Sequence, residues 1–95
     1  MHPLKQLPIK VSDEELKGRY ANGLQITHTS EEFIFDFLNT IPPEGQLIAR
    51  IITSPQHAKR ILAVLQENLA KYEEKFGEIT EAKPQKTIIR TEKPS

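Results

Sequence analysis

The chain has 95 residues, 13 basic against 13 acidic side chains, and no cysteine. That length admits one small domain; the composition excludes a disulfide or cysteine–metal framework, and the even charge balance offers no general attraction to nucleic acid. No stretch approaches the ~20 apolar residues of a membrane span, and the N-terminus lacks the continuous apolar run of a signal peptide, so the expected compartment is the cytoplasm.

Residues 1–17 pair proline-flanked apolar residues (HPLKQLPIK) with an acidic run, and are assigned to an N-terminal tail. Within it Ser12 and Glu15 have the spacing of a capping box, which suggests a short turn at Ser12–Leu16. Residues 80–95 show no period long enough for a helix or strand and are expected to be a flexible C-terminal tail. What remains, residues 18–79, is one β-β-β-α domain. A domain of that size buries only about 60% of its unfolded surface and is marginal alone. Without cysteines, oligomerisation is the common remedy.

The first strand is expected around Ala21–Thr29, where Leu24, Ile26 and His28 alternate with polar neighbours. Ser30-Glu31-Glu32 is a polar break of hairpin length. The second strand, Phe33–Asn39, sets Phe33, Phe35 and Phe37 on one face and Ile34, Asp36 and Leu38 on the other. Ile41–Gly45, IPPEG, is a loop, since paired prolines cannot sit in a ladder. The third strand, Gln46–Thr53, alternates Leu47, Ala49 and Ile51 with Ile48, Arg50 and Ile52. Short connections favour an antiparallel meander. Its side chains sort into two apolar layers: the phenylalanines with Leu47, Ala49 and Ile51, and Ile34 and Leu38 with Ile48 and Ile52. One helix can cover one layer, and a second copy of the chain is the simplest cover for the other.

The helix is specified at both ends. Ser54 is an N-cap with Pro55 at the first helical position, and Gly77 is a C′ residue followed by Ile79 for a Schellman end. Pro55 through Phe76 spans about 33 Å, against about 25 Å for strands of this length, so the helix outruns its sheet. Its apolar residues Ala58, Leu62, Leu65, Leu69, Tyr72 and Phe76 are spaced 4-3-4-3-4, a heptad seam. The first half suits the chain's own sheet, whereas the Leu69–Phe76 half suits a partner chain. The fold class is thus α+β: a three-stranded antiparallel meander followed by one long C-terminal helix, dimeric, with tails. The expected oligomer interface comprises Ile34, Leu38, Ile48, Ile52, Leu69, Tyr72 and Phe76.

No glycine-rich phosphate loop, nucleophile elbow or zincin helix is present. Catalytic residues, metal ligands and cofactors are therefore not expected, and the chain reads as a non-enzyme. His28 and His57 without a carboxylate or cysteine pattern are weak zinc ligands, and a packed His28 is the plainer reading. Asp36 lies between apolar neighbours and needs a partner if buried; Arg50, at a matching phase across the meander, supplies a structural ion pair. The helix start, Gln56-His57-Ala58-Lys59-Arg60, invites an anion through its dipole and cations. Arg50, His57, Lys59 and Arg60 are the candidate anion contacts. Residues 20–78 carry five cations against eight anions, whereas residues 79–95 carry four cations against two anions. Any phosphate contact would therefore come through the helix start and the basic tail.

The segments RYANGLQITHTSEEFIFDF and IARIITSPQHAKRILAVLQENLAKYEEKFGEI resemble a family of short uncharacterised bacterial and archaeal proteins of unknown function. In those, a YAN…SH(S/T)…EF…DF segment leads into a TSP.HAKR…LQENL.KYE..FGEI helix. The resemblance covers about residues 19–79. It implies a compact strand-plus-helix protein and no assigned activity. Together these features make the leading expectation a non-enzymatic homo-oligomer that interacts with another macromolecule. The alternative is a nucleic-acid-associated or regulatory protein touching phosphate through the helix start and basic tail.

Overall fold

The structure, a computed structural model, describes residues 6–81. In chain order it contains α1 (Asp13–Lys17), β1 (Gly23–His28), β2 (Phe33–Asn39), β3 (Gln46–Thr53) and α2 (Pro55–Phe76). Two compact units divide the chain, residues 1–60 and 61–95.

The first unit is built on an antiparallel sheet of order β1-β2-β3. β2, β3 and α2 begin and end where the sequence pattern puts them. β1 is shorter than expected, because Asn22 and Thr29 on either side of it serve the turns. The hydroxyl of Thr29 accepts from the N–H groups of both Glu31 and Glu32 (3.1 Å each), and its own N–H donates to the Glu32 carbonyl (2.9 Å). A side chain thus closes the first hairpin as an ST-turn. At the other end of β1, the Asn22 carbonyl oxygen Oδ1 accepts from the N–H (2.9 Å) and hydroxyl (3.2 Å) of Thr40. Gly23 leaves room for this clasp, since a Cβ there would stand 3.2 Å from Thr40 Cγ2. The expected turn near Ser12 is a short helix, α1, with Ser12 Oγ accepting from Glu15 N–H (3.2 Å).

Pairing is regular except at one point. Phe37 faces Ala49 and Leu38 faces Leu47, so Ile48 is an extra residue in β3 with no Cα partner. This β-bulge corrects the layer assignment made from alternation alone. Beyond it Leu47 joins Ile34, Leu38 and Ile52, while Phe33, Phe35 and Phe37 share a face with Leu24, Ile26, Ala49 and Ile51. The guanidinium of Arg19 donates to the carbonyl of Ile48 (3.1 Å), satisfying an acceptor where the ladder is broken. β2 is the middle strand, and among the described residues only its Phe35 and Asp36 are buried.

At the start of α2 the Ser54 hydroxyl accepts from His57 N–H (3.1 Å) and the Ser54 carbonyl accepts from Ala58 N–H (3.0 Å). The second unit holds the remainder of that helix and its C-terminal end. Gly77, at φ +93°, donates to the Glu73 carbonyl (2.9 Å), which is the simpler αL ending rather than the expected Schellman pair. The Glu73 carboxylate adds a second cap, accepting from Ile79 N–H (2.9 Å). No residue of α2 is buried.

Candidate functional site

The ion pair read from the sequence is present. Asp36 and Arg50 are opposite each other across β2 and β3. Arg50 Nε donates to Asp36 Oδ1 (2.8 Å) and Arg50 Nη2 to Asp36 Oδ2 (2.9 Å), a two-pronged fork. The Asp36 side chain is 11% exposed and that of Arg50 53%. The hydrogen bonds from Arg50 hold the Asp36 carboxyl below its usual value; the loss of hydration opposes this, and the Arg50 charge adds to it. With both carboxylate oxygens engaged, Asp36 is poorly placed as a general base.

The same fork removes Arg50 from the group of candidate anion contacts. His57, Lys59 and Arg60 are exposed on the first turns of α2. Part of the donor set that would meet an anion there is missing or in use: Pro55 has no N–H, and that of His57 goes to the Ser54 hydroxyl. The helix start is capped by its own chain, which reduces the backbone contribution that makes such ends attractive to phosphate. The basic residues Lys83, Lys86, Arg90 and Lys93 of the tail lie outside the described residues.

His28 is stacked on Phe33, its cross-strand partner, with ring centroids 5.3 Å apart and planes 22° apart. Among the described residues no three His, Asp or Glu side chains converge as metal ligands would. A shallow cavity of about 240 Å³ opens beside the IPPEG loop, lined by Asn39, Ile41, Pro43, Glu44 and Gln46. Among the described residues Glu44 is its sole charged group, with no base, nucleophile or second acid in the lining.

The apolar surfaces carry more. On the phenylalanine face of the sheet, Leu24, Ile26 and Ile51 are each about half exposed, and on the opposite face so are Leu47 and Ile52. Ile34, Leu38 and Ile48 of the expected interface are intermediate in burial. On α2, Leu62, Leu65, Leu69 and Tyr72 are between 42% and 55% exposed, and Phe76 is 65% exposed. Tyr72 and Phe76 touch within the seam, ring centroids 5.0 Å apart, with the Lys75 ammonium 5.2 Å from the Phe76 centroid. Among the described residues no helix is long and apolar enough to cross a membrane. Alternation pointed to the sheet residues and heptad spacing to the helix residues. The open sheet positions Leu24, Ile26, Leu47 and Ile51 lie outside the expected interface: Leu47 depends on the bulge, and the other three on which face stays uncovered.

No curated protein and no solved structure matches the chain. A family model, described as protein of unknown function (DUF3467), matches residues 1–81, and so takes in α1, the whole meander and α2. The chain belongs to this family of proteins of unknown function.

Proposed function

We propose that the protein is a non-enzymatic, cytoplasmic homo-oligomer, most simply a dimer, whose task is to bind another macromolecule. The observation that supports this is the burial pattern. Apolar side chains on both faces of the sheet and along the seam of α2 remain about half open to water, and among the described residues the buried set is Phe35 and Asp36 of the central strand. Fully covering one Leu, Ile or Phe side chain contributes about 1.5–3 kcal/mol, so covering the ten that are about half open is comparable with the margin of about 5–15 kcal/mol by which a domain is usually stable. A second copy supplies matching apolar surface at no cost in additional genes or cofactors. The test is the particle mass of the full chain at micromolar concentration by sedimentation equilibrium or light scattering. A multiple of the 10.9 kDa chain mass is expected. A stably folded monomer would overturn the proposal.

The phosphate-contact alternative competes with Asp36 for Arg50 and with Ser54 for the His57 N–H. What supports it now is the exposed His57, Lys59 and Arg60 together with the basic composition of residues 79–95. Its signature is binding to a nucleic acid duplex that falls steeply with salt and weakens when Lys59 and Arg60 are replaced by Ala. Absence of binding at low salt removes it.

A further inference from the structure

We propose that α2 pairs antiparallel with α2 of a second copy, in the register that sets Leu65 opposite Leu69 of the other chain. This rests on the homo-oligomer reading and specifies the occupant and direction of one of its surfaces. The starting point is the seam itself. Ala58, Leu62, Leu65, Leu69, Tyr72 and Phe76 recur at heptad spacing along a single helix of 22 residues, and none of them is buried. A helix with a narrow apolar stripe and no buried residue has the pattern of half a coiled coil.

The seam grows from small to large along the chain, which decides direction. In a parallel pair every residue meets its own copy. Ala58 then faces Ala58 and leaves a gap, while Phe76 faces Phe76 and crowds the other end. One antiparallel register keeps all six positions in contact, and in it Ala58 faces Phe76, Leu62 faces Tyr72 and Leu65 faces Leu69. Each layer combines a smaller residue with a larger one, or two equals of middle size, so the gap between helix axes can stay constant. Constant interaxial spacing with interdigitated large and small side chains is what close packing requires.

The flanking charges choose the same arrangement. Lys59 follows Ala58 and Glu73 follows Tyr72, so both lie along the same border of the seam. Antiparallel pairing brings Lys59 of each chain beside Glu73 of the other, twice per dimer. Parallel pairing sets Glu73 beside Asn68 and Lys59 beside Ser54, with no opposite charges in either contact. More broadly, the cationic start of each helix shares an end of the pair with the acidic end of the other, with the two dipoles opposed as well. The Ile79 N–H engages Oε2 of Glu73 at 2.9 Å, which leaves Oε1 for such a contact. Exposed ion pairs of this kind contribute little strength; they select direction and register, and the apolar layers supply the affinity. The cationic helix start thereby finds an anion within the protein's own second copy.

The chain has no cysteine, so an introduced thiol is its only one. Gln66 lies on the border near the centre of the seam, where antiparallel pairing sets the two copies of residue 66 across from each other; parallel pairing sets them on opposite sides. Full-length Q66C under mild oxidation is expected to form a disulfide-linked dimer, and R60C, on the outer face and distant along the axis, is expected to remain uncrosslinked. Separately, K59E and E73K should each raise the dimer dissociation constant about tenfold, two attractions per dimer becoming repulsions, and the double variant should restore it. Helical circular dichroism of each variant guards against misfolding. Crosslinking at residue 66 with rescue in the double variant supports the proposal. A stable dimer with no Q66C crosslink and no effect of either charge reversal overturns the helix pairing and leaves the oligomer reading intact. A folded monomer overturns both.

Discussion

Asp36 is a carboxylate in the middle strand of a thin sheet, and its state is governed by one neighbour. The hydrogen bonds from Arg50 lower its pKa from the ordinary 3.8, so the folded state binds the proton more weakly than the unfolded chain. The pair's contribution to stability is therefore complete above that ordinary value and is lost as pH falls through the lower, folded value. Replacing Arg50 by Ala reverses the sign. Without the guanidinium, desolvation alone acts on the carboxyl and raises its pKa, so the variant loses stability as pH rises. The deficit of R50A relative to the natural chain should be small at pH 3 and large at pH 7, measured by urea unfolding at the two values. A deficit independent of pH would show that Arg50 matters only through packing. Asn22 offers a second test at this scale. Asn22→Ala removes the acceptor that holds both the N–H and the hydroxyl of Thr40, and should cost about 1 kcal/mol in the same assay.

Among the elements, α2 buries none of its residues and is closed by hydrogen bonds at both ends. Ser54 closes its start and the Gly77 bond with the Glu73 carboxylate closes its finish. Ser54→Ala should therefore destabilise the protein by about 1 kcal/mol, read from thermal or urea unfolding. An effect near zero would mean that the first turn frays even in the natural chain. The elements were also where the sequence was most readable. Alternation at Phe33–Asn39 and Gln46–Thr53, with the Ser54-Pro55 start and the Gly77 stop, is local information, and local information places strand and helix bounds. The bulge at Ile48 was not readable, because an extra residue in a ladder is defined by its partner strand. Alternation alone therefore put Leu47 in the wrong layer. The Asp36–Arg50 pair was readable, since both residues interrupt otherwise apolar positions at matching phase. That its fork would withdraw Arg50 from the helix start was not, because both uses of the side chain fit the same spacing.

At the scale of the whole molecule, the apolar surface exceeds what the buried positions account for. If a second copy covers it, folding and association are one equilibrium, and the unfolding temperature must rise with protein concentration. Scanning calorimetry over a hundredfold range of concentration should show that rise, and a fixed midpoint would indicate a self-sufficient chain. The heptad seam of α2 and the apolar second layer of the sheet were legible as patterns; that the phenylalanine face and Leu62 and Leu65 also stay about half exposed was not, since alternation and heptad spacing assign those surfaces to each other.

The forked pair between β2 and β3 has a consequence for how the molecule reaches its fold. The hairpin between β1 and β2 is closed by the tight Thr29 turn, which counts residues for itself. The connection from Asn39 to Gln46 is longer and carries two prolines, so it does not dictate how β3 is aligned. Slide β3 by one position and Asp36 meets Ala49 or Ile51, stranding a carboxylate in the central strand without a cation. Asp36 and Arg50 thus act as a checksum on hairpin closure. Misaligned chains carry an unpaid charge and reopen, and the copies that persist are those whose apolar faces match one another.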